Sequence, residues 1–264
     1  MAVSETSEWR LYAGKLGFSK TEYAEKDYLQ ELMLYWLFNG KMSGTLVFRG
    51  GTAISKLYGS GRFSEDIDLV MSESAEENAV TRAMDSAIKG MKLQYATEAR
   101  KERYRNMLKY VLKIQGPLYA VSNSPQAVQT IQLDINLFER PLMHVKEAFR
   151  RPIYPDIAPY LLNSLEAEEL LADKIKALVE RIEPVARDLY DAWLLSTKYE
   201  LKPDLELVGK KMQLYGRKSG EQFSLEVLKE RIASIKVVWD SEIGRLLRDP
   251  PSYDEVAKGF LEKL

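Results

Sequence analysis

The stretch from residue 46 to residue 70 constrains the fold of this 264-residue chain more than any other part of the sequence. An apolar run leads to the adjacent glycines Gly50 and Gly51, and a helix-compatible segment and a polar turn follow. The stretch ends on alternating acidic and apolar residues that include Asp66 and Asp68. This order predicts a strand, a tight glycine turn, a helix and a second strand. Because successive side chains on a strand point to opposite faces, we expect Asp66 and Asp68 on the same face.

Two carboxylates on one strand face repel each other, and a bound divalent cation relieves that repulsion. Their hard oxygen ligands suit Mg²⁺ or Mn²⁺. The glycines allow a phosphate to approach the backbone closely, and the N-terminus of the following helix can donate hydrogen bonds to it. These features together predict a site for a metal-bound triphosphate. The competing interpretation is a surface hairpin whose acids are incidental.

A second informative strand is predicted at residues 130–138. One face is apolar and the other polar, with Ile131, Leu133, Ile135 and Leu137 alternating with Gln132, Asp134 and Asn136. Such regular alternation is typical of a strand with one buried face. The pattern alone is also satisfied if Asp134 is a surface acid on a half-exposed strand.

The glycine turn and the acid pair resemble the signature of the DNA polymerase beta-like nucleotidyltransferase superfamily. The match to the AbiEii/AbiGii-type toxin nucleotidyltransferases is closer, and it is carried by Phe48-Arg49-Gly50-Gly51-Thr52 and Arg62-Phe63-Ser64-Glu65-Asp66-Ile67-Asp68. The resemblance implies that Asp134 is a third acid and that Asp66, Asp68 and Asp134 hold the metal ions. It also implies that the residues lining the phosphates are Gly50, Gly51, Thr52 and Ser64.

Two later motifs resemble the same family, namely Leu171-Ala172-Asp173-Lys174 and Arg187-Asp188-Leu189-Tyr190-Asp191. The resemblance implies that Lys174 contacts the triphosphate and that Arg187, Asp188 and Asp191 order the site or bind the nucleotide. A helical lysine can neutralise phosphate oxygens as a point charge. The alternatives are a solvated lysine at position 174 and an ion-pair network between helices for the other three residues.

Other segments predict the framework around these motifs. Residues 1–18 are expected to be loosely attached. Ser19 and Ser74 begin capping-box patterns that predict helices over 19–39 and 74–89, the second ended by Gly90. Strands are predicted at 92–98 and 104–115. They carry a basic cluster, which is either a charged sheet edge or an acceptor-binding surface: Arg100, Lys101, Arg103, Arg105, Lys109 and Lys113.

Prolines punctuate the chain after the Asp134 strand and predict a domain boundary near residues 152–160. Asn163 and Ser164, followed by three acids, predict the start of a helix whose buried stripe reaches Ile182. Pro184 is expected to break it before a helix over 185–197. Further amphipathic helices are predicted at 203–214, 224–240 and 252–263, with a separating glycine-containing segment at 216–220.

The predicted fold is therefore α/β (α+β). A small mixed β-sheet core flanked by helices occupies residues 1–155, and a helical domain over residues 156–264 closes the nucleotide cleft.

Composition excludes several other classes of protein. The chain has no cysteine, so thiol catalysis, cysteine-based zinc sites and disulfides are ruled out. Its one histidine, His144, and the lack of a Gly-x-Ser-x-Gly sequence give no support to a serine-hydrolase triad. No Walker A sequence occurs. A net charge of −1 gives no global basic field, and no apolar run is long enough to span a membrane. We expect a soluble, cytoplasmic protein without a membrane partner.

The predicted activity is a Mg²⁺- or Mn²⁺-dependent transfer of a nucleoside monophosphate from an NTP to an acceptor hydroxyl. Asp134 is expected to be the general base, because Asp66 and Asp68 are needed as bridging metal ligands. The resemblance implies that a tRNA 3′ end is the acceptor and that the chain is a toxin restrained by a separately encoded antitoxin. Two alternatives remain, an enzyme of the same chemistry acting on a small molecule or a protein side chain, and a non-catalytic nucleotide-binding module.

Overall fold

The computed structural model describes residues 6–183, 185–216 and 223–264. Its strands are β1 Leu46–Arg49, β2 Asp66–Met71, β3 Thr97–Tyr104, β4 Met107–Ile114, β5 Gln129–Asn136, β6 Val145–Arg150 and β7 Tyr160–Leu165. Its helices are α1 Thr6–Leu16, α2 Thr21–Phe38, α3 Gly50–Tyr58, α4 Glu77–Lys92, α5 Pro117–Ser122, α6 Ala167–Glu180, α7 Ala186–Lys198, α8 Leu205–Tyr215, α9 Leu225–Ser234, α10 Trp239–Leu246 and α11 Tyr253–Leu261. The predicted α/β class, a mixed sheet flanked by helices, is confirmed.

Within the described residues, seven strands form one sheet in the order β3-β4-β5-β2-β1-β7-β6. The pairs β2–β5 and β1–β7 are parallel, and the other pairs are antiparallel. The strands predicted to carry the acids are thus direct neighbours near the centre. Their apolar face is fully buried, as Ile67, Leu133 and Ile135 show. Their other face carries the acids.

The β3–β4 hairpin confirms the strand predicted at 104–115 and corrects the one predicted at 92–98. It pairs Thr97 with Ile114 and Tyr104 with Met107, so its tight turn falls at residues 105–106. Residues 93–96 instead follow the end of α4. The prediction placed the turn too early because a charged edge strand has no apolar alternation to mark it.

Both predicted helices exist, but the capping boxes predicted at their starts do not form. The Ser19 hydroxyl donates to the backbone carbonyl of Arg245, far along the chain, and no side chain caps α2. Helix α4 begins at Glu77, three residues after Ser74, and it also lacks a side-chain cap. The Ser19 hydroxyl therefore does not cap α2, because it is bonded to a distant part of the chain.

Gly90 lies inside α4 and does not end it, because the helix continues to Lys92. A Cβ atom at Gly90 would lie 2.6 Å from Cγ of Trp36 on α2. The glycine therefore permits the close approach of α2 and α4, which a larger residue would prevent.

Residues 6–18 are firmly attached, contrary to prediction, and residues 1–5 lie outside the described part. Trp9 on α1 is fully buried, and its ring centroid lies 5.5 Å from that of Tyr28 on α2. The buried ring accounts for the attachment, since a tryptophan side chain removes a large apolar surface from water.

Asn163 and Ser164 do not start a helix, contrary to prediction. They belong to β7, whose Ser164 pairs with Phe48 of β1, and α6 begins only at Ala167. The predicted stripe is buried through Leu178, but Ile182 is exposed because α6 ends at Glu180. The sheet thus extends past residue 155. The division of the chain into two domains there stays a prediction.

The C-terminal part is helical as predicted, with one correction. Helices α7, α8 and α11 confirm their predicted positions. The single helix predicted at 224–240 is instead α9 and α10, separated by a 3₁₀ turn at Ile235–Val237. Pro184 and most of the glycine-containing segment at 216–220 lie outside the described residues.

A buried ionic cluster fixes α3 against α2 and the β6–β7 hairpin. Lys56 Nζ on α3 lies 2.6 Å from Asp27 Oδ1 and 3.1 Å from Glu31 Oε2, both on α2. Arg150 Nε lies 2.9 Å from Glu31 Oε1, which also accepts a hydrogen bond from the Tyr160 hydroxyl at 2.8 Å. The two positive and two negative charges balance. Because α3 begins at Gly50, this cluster also sets the position of the glycine turn.

Replacement of Glu31 by glutamine should make stability less dependent on pH. Burial raises the pKa of Glu31, but Lys56 and Arg150 outweigh it and lower the pKa from 4.5 to about 2. The carboxylate therefore contributes stability above pH 4.5 that is lost as pH falls towards 2. Glu31→Gln should lower the free energy of unfolding by about 3–5 kcal/mol at pH 7, because it leaves two cations short of a partner.

Urea unfolding from neutral to acidic pH checks this prediction. The difference between wild type and Glu31→Gln should shrink as the pH falls below 4.5. Glu147→Gln is the matched control, since Glu147 is exposed on β6 and should change neither the stability nor its pH dependence. A difference for Glu31→Gln that stays constant with pH would contradict the assignment.

Candidate active site

The turn between β1 and α3 brings backbone against a carboxylate. Gly50 has a φ of +75°, and a Cβ atom there would lie 2.8 Å from Cγ of Asp68. Glycine is required twice over, since a left-handed φ disfavours side chains and the carboxylate leaves no room for one. The N-terminus of α3 is thereby placed directly beside Asp68.

Strand pairing arranges four charged residues in one row across the sheet. Lys109 on β4 pairs with Asp134 on β5, Asp134 with Asp68 on β2, and Asp68 with Arg49 on β1. Directly paired residues lie on the same face of a sheet, so the two acids are neighbours with a cation at each end. The strand that carries Asp134 is thus the direct neighbour of the strand that carries Asp68.

Burial and neighbouring acids raise the pKa of Asp68 and of Asp66. Burial raises the pKa of Asp68 first; Arg49 and Lys174 lower it, Asp134 and Asp66 raise it, and the result is about 6. Burial and then Asp134 also raise the pKa of Asp66. A bound cation would lower the pKa of these carboxyl groups, because it stabilises their ionised form.

Asp134 offers one oxygen that has no protein partner. Its Oδ2 accepts a hydrogen bond from Gln132 Nε2 at 2.8 Å, whereas its buried Oδ1 has no hydrogen-bond partner. Among the described residues, no three acidic or histidine side chains are already closed around a metal position.

Lys174 reaches the cleft from α6 but is already paired. Its Nζ lies 2.8 Å from Asp188 Oδ1 and 2.8 Å from Asp191 Oδ2, both on α7. Arg181 Nε lies 2.6 Å from the other oxygen of Asp188. Burial lowers the pKa of Lys174, but the two acids raise it above its ordinary value, so the ammonium stays charged. Lys174 is thus not a solvated lysine.

Arg62 is a buried cation that the sequence did not single out for a role. Its Nε and Nη2 atoms lie 2.6 and 2.5 Å from the two oxygens of Asp191. The pair joins the loop before β2 to α7, and a Cβ atom at Gly51 would collide with the Arg62 guanidinium. A polar turn in the sequence gives no sign that its arginine is buried.

The structure brings six of the predicted residues to one cleft of about 270 Å³, namely Gly50, Gly51, Asp68, Asp134, Lys174 and Asp188. Residues in its lining to which the sequence assigned no role are Arg49, Met107, Asn136, Glu139, Asp173 and Arg181. Arg49 precedes Gly50 and Asp173 precedes Lys174, and this adjacency to predicted residues is the sequence signal that could have identified them. They form an ion pair of 2.8 Å.

Four predicted residues lie elsewhere. Ser64 and Arg187 line a second cleft of about 290 Å³, together with Arg62. Thr52 is buried, and its hydroxyl donates to the backbone carbonyl of Asp66. Asp191 is buried against Arg62 and Lys174. These contacts hold the cleft together, and the nucleotide contacts predicted for the four stay predictions.

Asp66, the remaining predicted residue, is in the lining of neither cleft. The charges that act on it include Asp134 of the first cleft and Arg187 of the second.

The basic cluster predicted from the sequence divides between two faces of the hairpin. Register places Arg100, Lys109 and Lys113 on the face that carries Asp134. Lys101 and Arg103 lie on the opposite face, where they contact Thr81 and Glu77 of α4. Any acceptor that reaches the cleft can therefore meet only part of the cluster.

Comparison with known families identifies a match over most of the chain. The family described as Nucleotidyl transferase AbiEii toxin, Type IV TA system, matches residues 33–260. The matched segment contains the glycine turn, the three acids and Lys174. The resemblance predicted from the sequence is confirmed. No curated protein matches the chain.

Two solved structures share the fold. MenT4, a nucleotidyltransferase toxin from Mycobacterium tuberculosis H37Rv, aligns with a TM-score of 0.64 and 19% identity, over 98% of this chain and 90% of MenT4. JHP933 from Helicobacter pylori aligns with a TM-score of 0.54 and 18% identity, over 91% of this chain and 89% of JHP933.

In the described residues, no helix is long and apolar enough to cross a membrane.

Replacement of Gly50 by alanine should test the contact with Asp68. Gly59 also has a positive φ, +56°, but nothing lies within 4 Å of a Cβ atom there. Gly59→Ala should therefore cost only the backbone strain, about 1 kcal/mol. Gly50→Ala should cost a further 1–3 kcal/mol or so, because Asp68 must move. Chemical unfolding of both variants measures the difference, and equal losses would show that Asp68 yields freely.

Proposed function

Because the chain belongs to the AbiEii nucleotidyl transferase toxin family, we propose that it transfers a nucleoside monophosphate from an NTP to an acceptor hydroxyl. The acceptor oxygen bonds to the α-phosphorus, the bond between the α- and β-phosphates breaks, and pyrophosphate leaves. The observation that carries the proposal is the pairing of Asp68 with Asp134 beside the glycine turn at Gly50.

The three acids are the proposed ligands of a divalent cation, Mg²⁺ or Mn²⁺. The raised pKa of Asp68 and its direct pairing with Asp134 support that role. When bound, the cation would supply charge stabilisation at the acceptor oxygen and at the leaving pyrophosphate. Asp66 and Asp68, two residues apart on one strand, can share it with the substrate phosphates.

Asp134 is the proposed general base. Gln132 Nε2 donates to its Oδ2 and so orients the carboxylate, leaving Oδ1 to hold the acceptor proton. Proton removal by a positioned carboxylate requires hydrogen-bond reach to the hydroxyl, which the open cleft beside Asp134 permits.

The backbone N–H groups at the start of α3 are the proposed donors to the triphosphate. Gly50 and Gly51 line the cleft there, and a helix N-terminus favours anions. Lys174 and Arg49 add positive charge on the same side. Asp188 holds Lys174 in place and so acts on the phosphates indirectly. Thr52 would support the site through its bond to β2.

The two predicted residues in the second cleft would approach the nucleotide from the other side of Asp66. Ser64 and Arg187 both line that cleft, and Arg187 contributes a positive charge near Asp66.

We place the protein in the cytoplasm as the toxin of a toxin–antitoxin pair, restrained by a separately encoded antitoxin, with a tRNA 3′ end as acceptor. The cationic residues beside Asp134 on the hairpin support a polyanionic acceptor, since Lys109 lies next to Asp134 and Arg100 shares its face. Incubation with each labelled NTP and total tRNA tests the assignment, and labelling of no RNA species would reject it.

Substitution of Asp68 by asparagine should abolish transfer and preserve the fold. In the protein without metal, loss of one charge relieves repulsion from Asp134, so the melting temperature should hold or rise. Mg²⁺ with a non-hydrolysable NTP analogue should raise the melting temperature of wild type more than that of Asp68→Asn. Transfer by Asp68→Asn at the wild-type rate would end the metal-site assignment.

Charge reversals on the two faces of the β3–β4 hairpin should separate an acceptor surface from a merely charged edge. Arg100→Glu with Lys113→Glu changes the face of Asp134 and should weaken RNA binding about tenfold or more, with a smaller salt dependence. Lys101→Glu with Arg103→Glu changes the α4 face and is the control. Filter binding at several salt concentrations measures both, and equal effects would place the acceptor elsewhere.

A further inference from the structure

Phe138 leaves a large apolar surface exposed at the mouth of the first cleft. Its side chain is 55% exposed. Its near neighbours along the chain, Asn136 and Glu139, both line the cleft. A contiguous patch of exposed apolar side chains marks an interaction site more often than a single exposed residue does.

The loop that carries Phe138 is held rigidly by hydrogen bonds. Asn136 Oδ1 accepts from the backbone N–H groups of Phe138 and Glu139, both at 2.9 Å. Arg140 donates to the carbonyl of Leu137 at 2.9 Å. The backbone that carries the ring is thus ordered, which reduces the entropy cost of binding a ligand there.

Phe138 and three further residues at this end of the sheet form what we call the apolar rim: Tyr104, Met107, Phe138 and Tyr215. The Tyr215 ring lies edge-on to that of Phe138, with centroids 5.6 Å apart. Met107 pairs with Asn136 and lines the cleft, and Tyr104 pairs with Met107 across the hairpin. Tyr104 and Met107 are exposed as well.

We propose that the apolar rim binds an unpaired nucleobase of the acceptor RNA, stacked on Phe138. Every base has a π-face, so an aromatic platform binds bases of any sequence, and proteins contact RNA mostly at unpaired bases. This inference rests on the proposed transfer to RNA.

The position of Phe138 favours stacking with a base of the acceptor RNA rather than with the base of the NTP. Phe138 follows Asp134 by four residues, a span of at most about 13 Å along a strand. Asp134 is the proposed base for the acceptor hydroxyl, so an RNA end bound there would have its last bases within reach of Phe138. The proposed triphosphate site at Gly50 lies across β2 from β5, although Glu139, next to Phe138, pairs with Arg49 of β1, so separate KM values for RNA and NTP distinguish the two bases.

Steady-state kinetics of Phe138→Ala and Phe138→Trp tests the proposal, with total tRNA and the preferred NTP varied separately. Phe138→Ala should raise KM for RNA roughly tenfold to hundredfold, with KM for the NTP unchanged, because one stacked base is lost. Phe138→Trp should restore KM for RNA. Phe149→Ala is the control, since Phe149 is 64% exposed but lies on β6 at the far edge of the sheet.

The outcomes separate this inference from the proposed function. If wild type modifies RNA and Phe138→Ala does so with the same KM, the stacking site is refuted while the transfer stands. Both KM values also stay unchanged if the rim instead binds a protein partner or a second copy of the chain. A raised KM for the NTP alone would assign the stacked base to the nucleotide and overturn the acceptor assignment. Absence of RNA labelling by wild type would refute the proposed function itself.

Discussion

The adjacency of Asp68 and Asp134 is the constraint on which the rest of the site depends. Parallel pairing of β2 and β5 places the two residues directly opposite each other, and the strands cannot separate without breaking the centre of the sheet. The pKa of Asp68, raised to about 6, reflects burial and the neighbouring acids. Since like charges at this spacing repel, the surrounding fold must supply cations. Arg49 and Lys174 are those cations.

These cations need partners of their own, and the partners define how the helical part of the chain is attached. Each acid that binds Arg49 or Lys174 from α6 or α7 also binds another cation, in the pairs Asp173–Lys211, Asp188–Arg181 and Asp191–Arg62. Buried ion pairs add little net stability compared with apolar packing, but removal of one partner is costly. The network therefore fixes position more than it adds stability, which is what an active-site cleft requires.

The sequence predicted the parts of the site that depend on local patterns. The strands that carry Asp68 and Asp134 could be predicted because strand alternation is visible within a few residues, and the role predicted for Asp134 came from the family resemblance. The predictions failed where a distant partner decides the outcome. Ser19 matched a helix cap but bonds to Arg245, and Ser164 matched a helix start but its hydroxyl bonds to Phe48 of β1. Local patterns cannot reveal such acceptors, because hydroxyl groups take whichever partner the fold provides.

The two alternatives that the sequence left open for the motif around Asp188 do not exclude each other. The sequence left open whether Asp188 and Asp191 form an ion-pair network or serve a nucleotide site. The network exists, and Lys174 is its centre. That same network holds the ammonium of Lys174 at the wall of the cleft. A flexible charged group would lose conformational entropy on binding phosphate, whereas a group that is already held loses less. Under the proposed function, this ion-pair network would hold the buried ammonium of Lys174 in position for an anionic substrate.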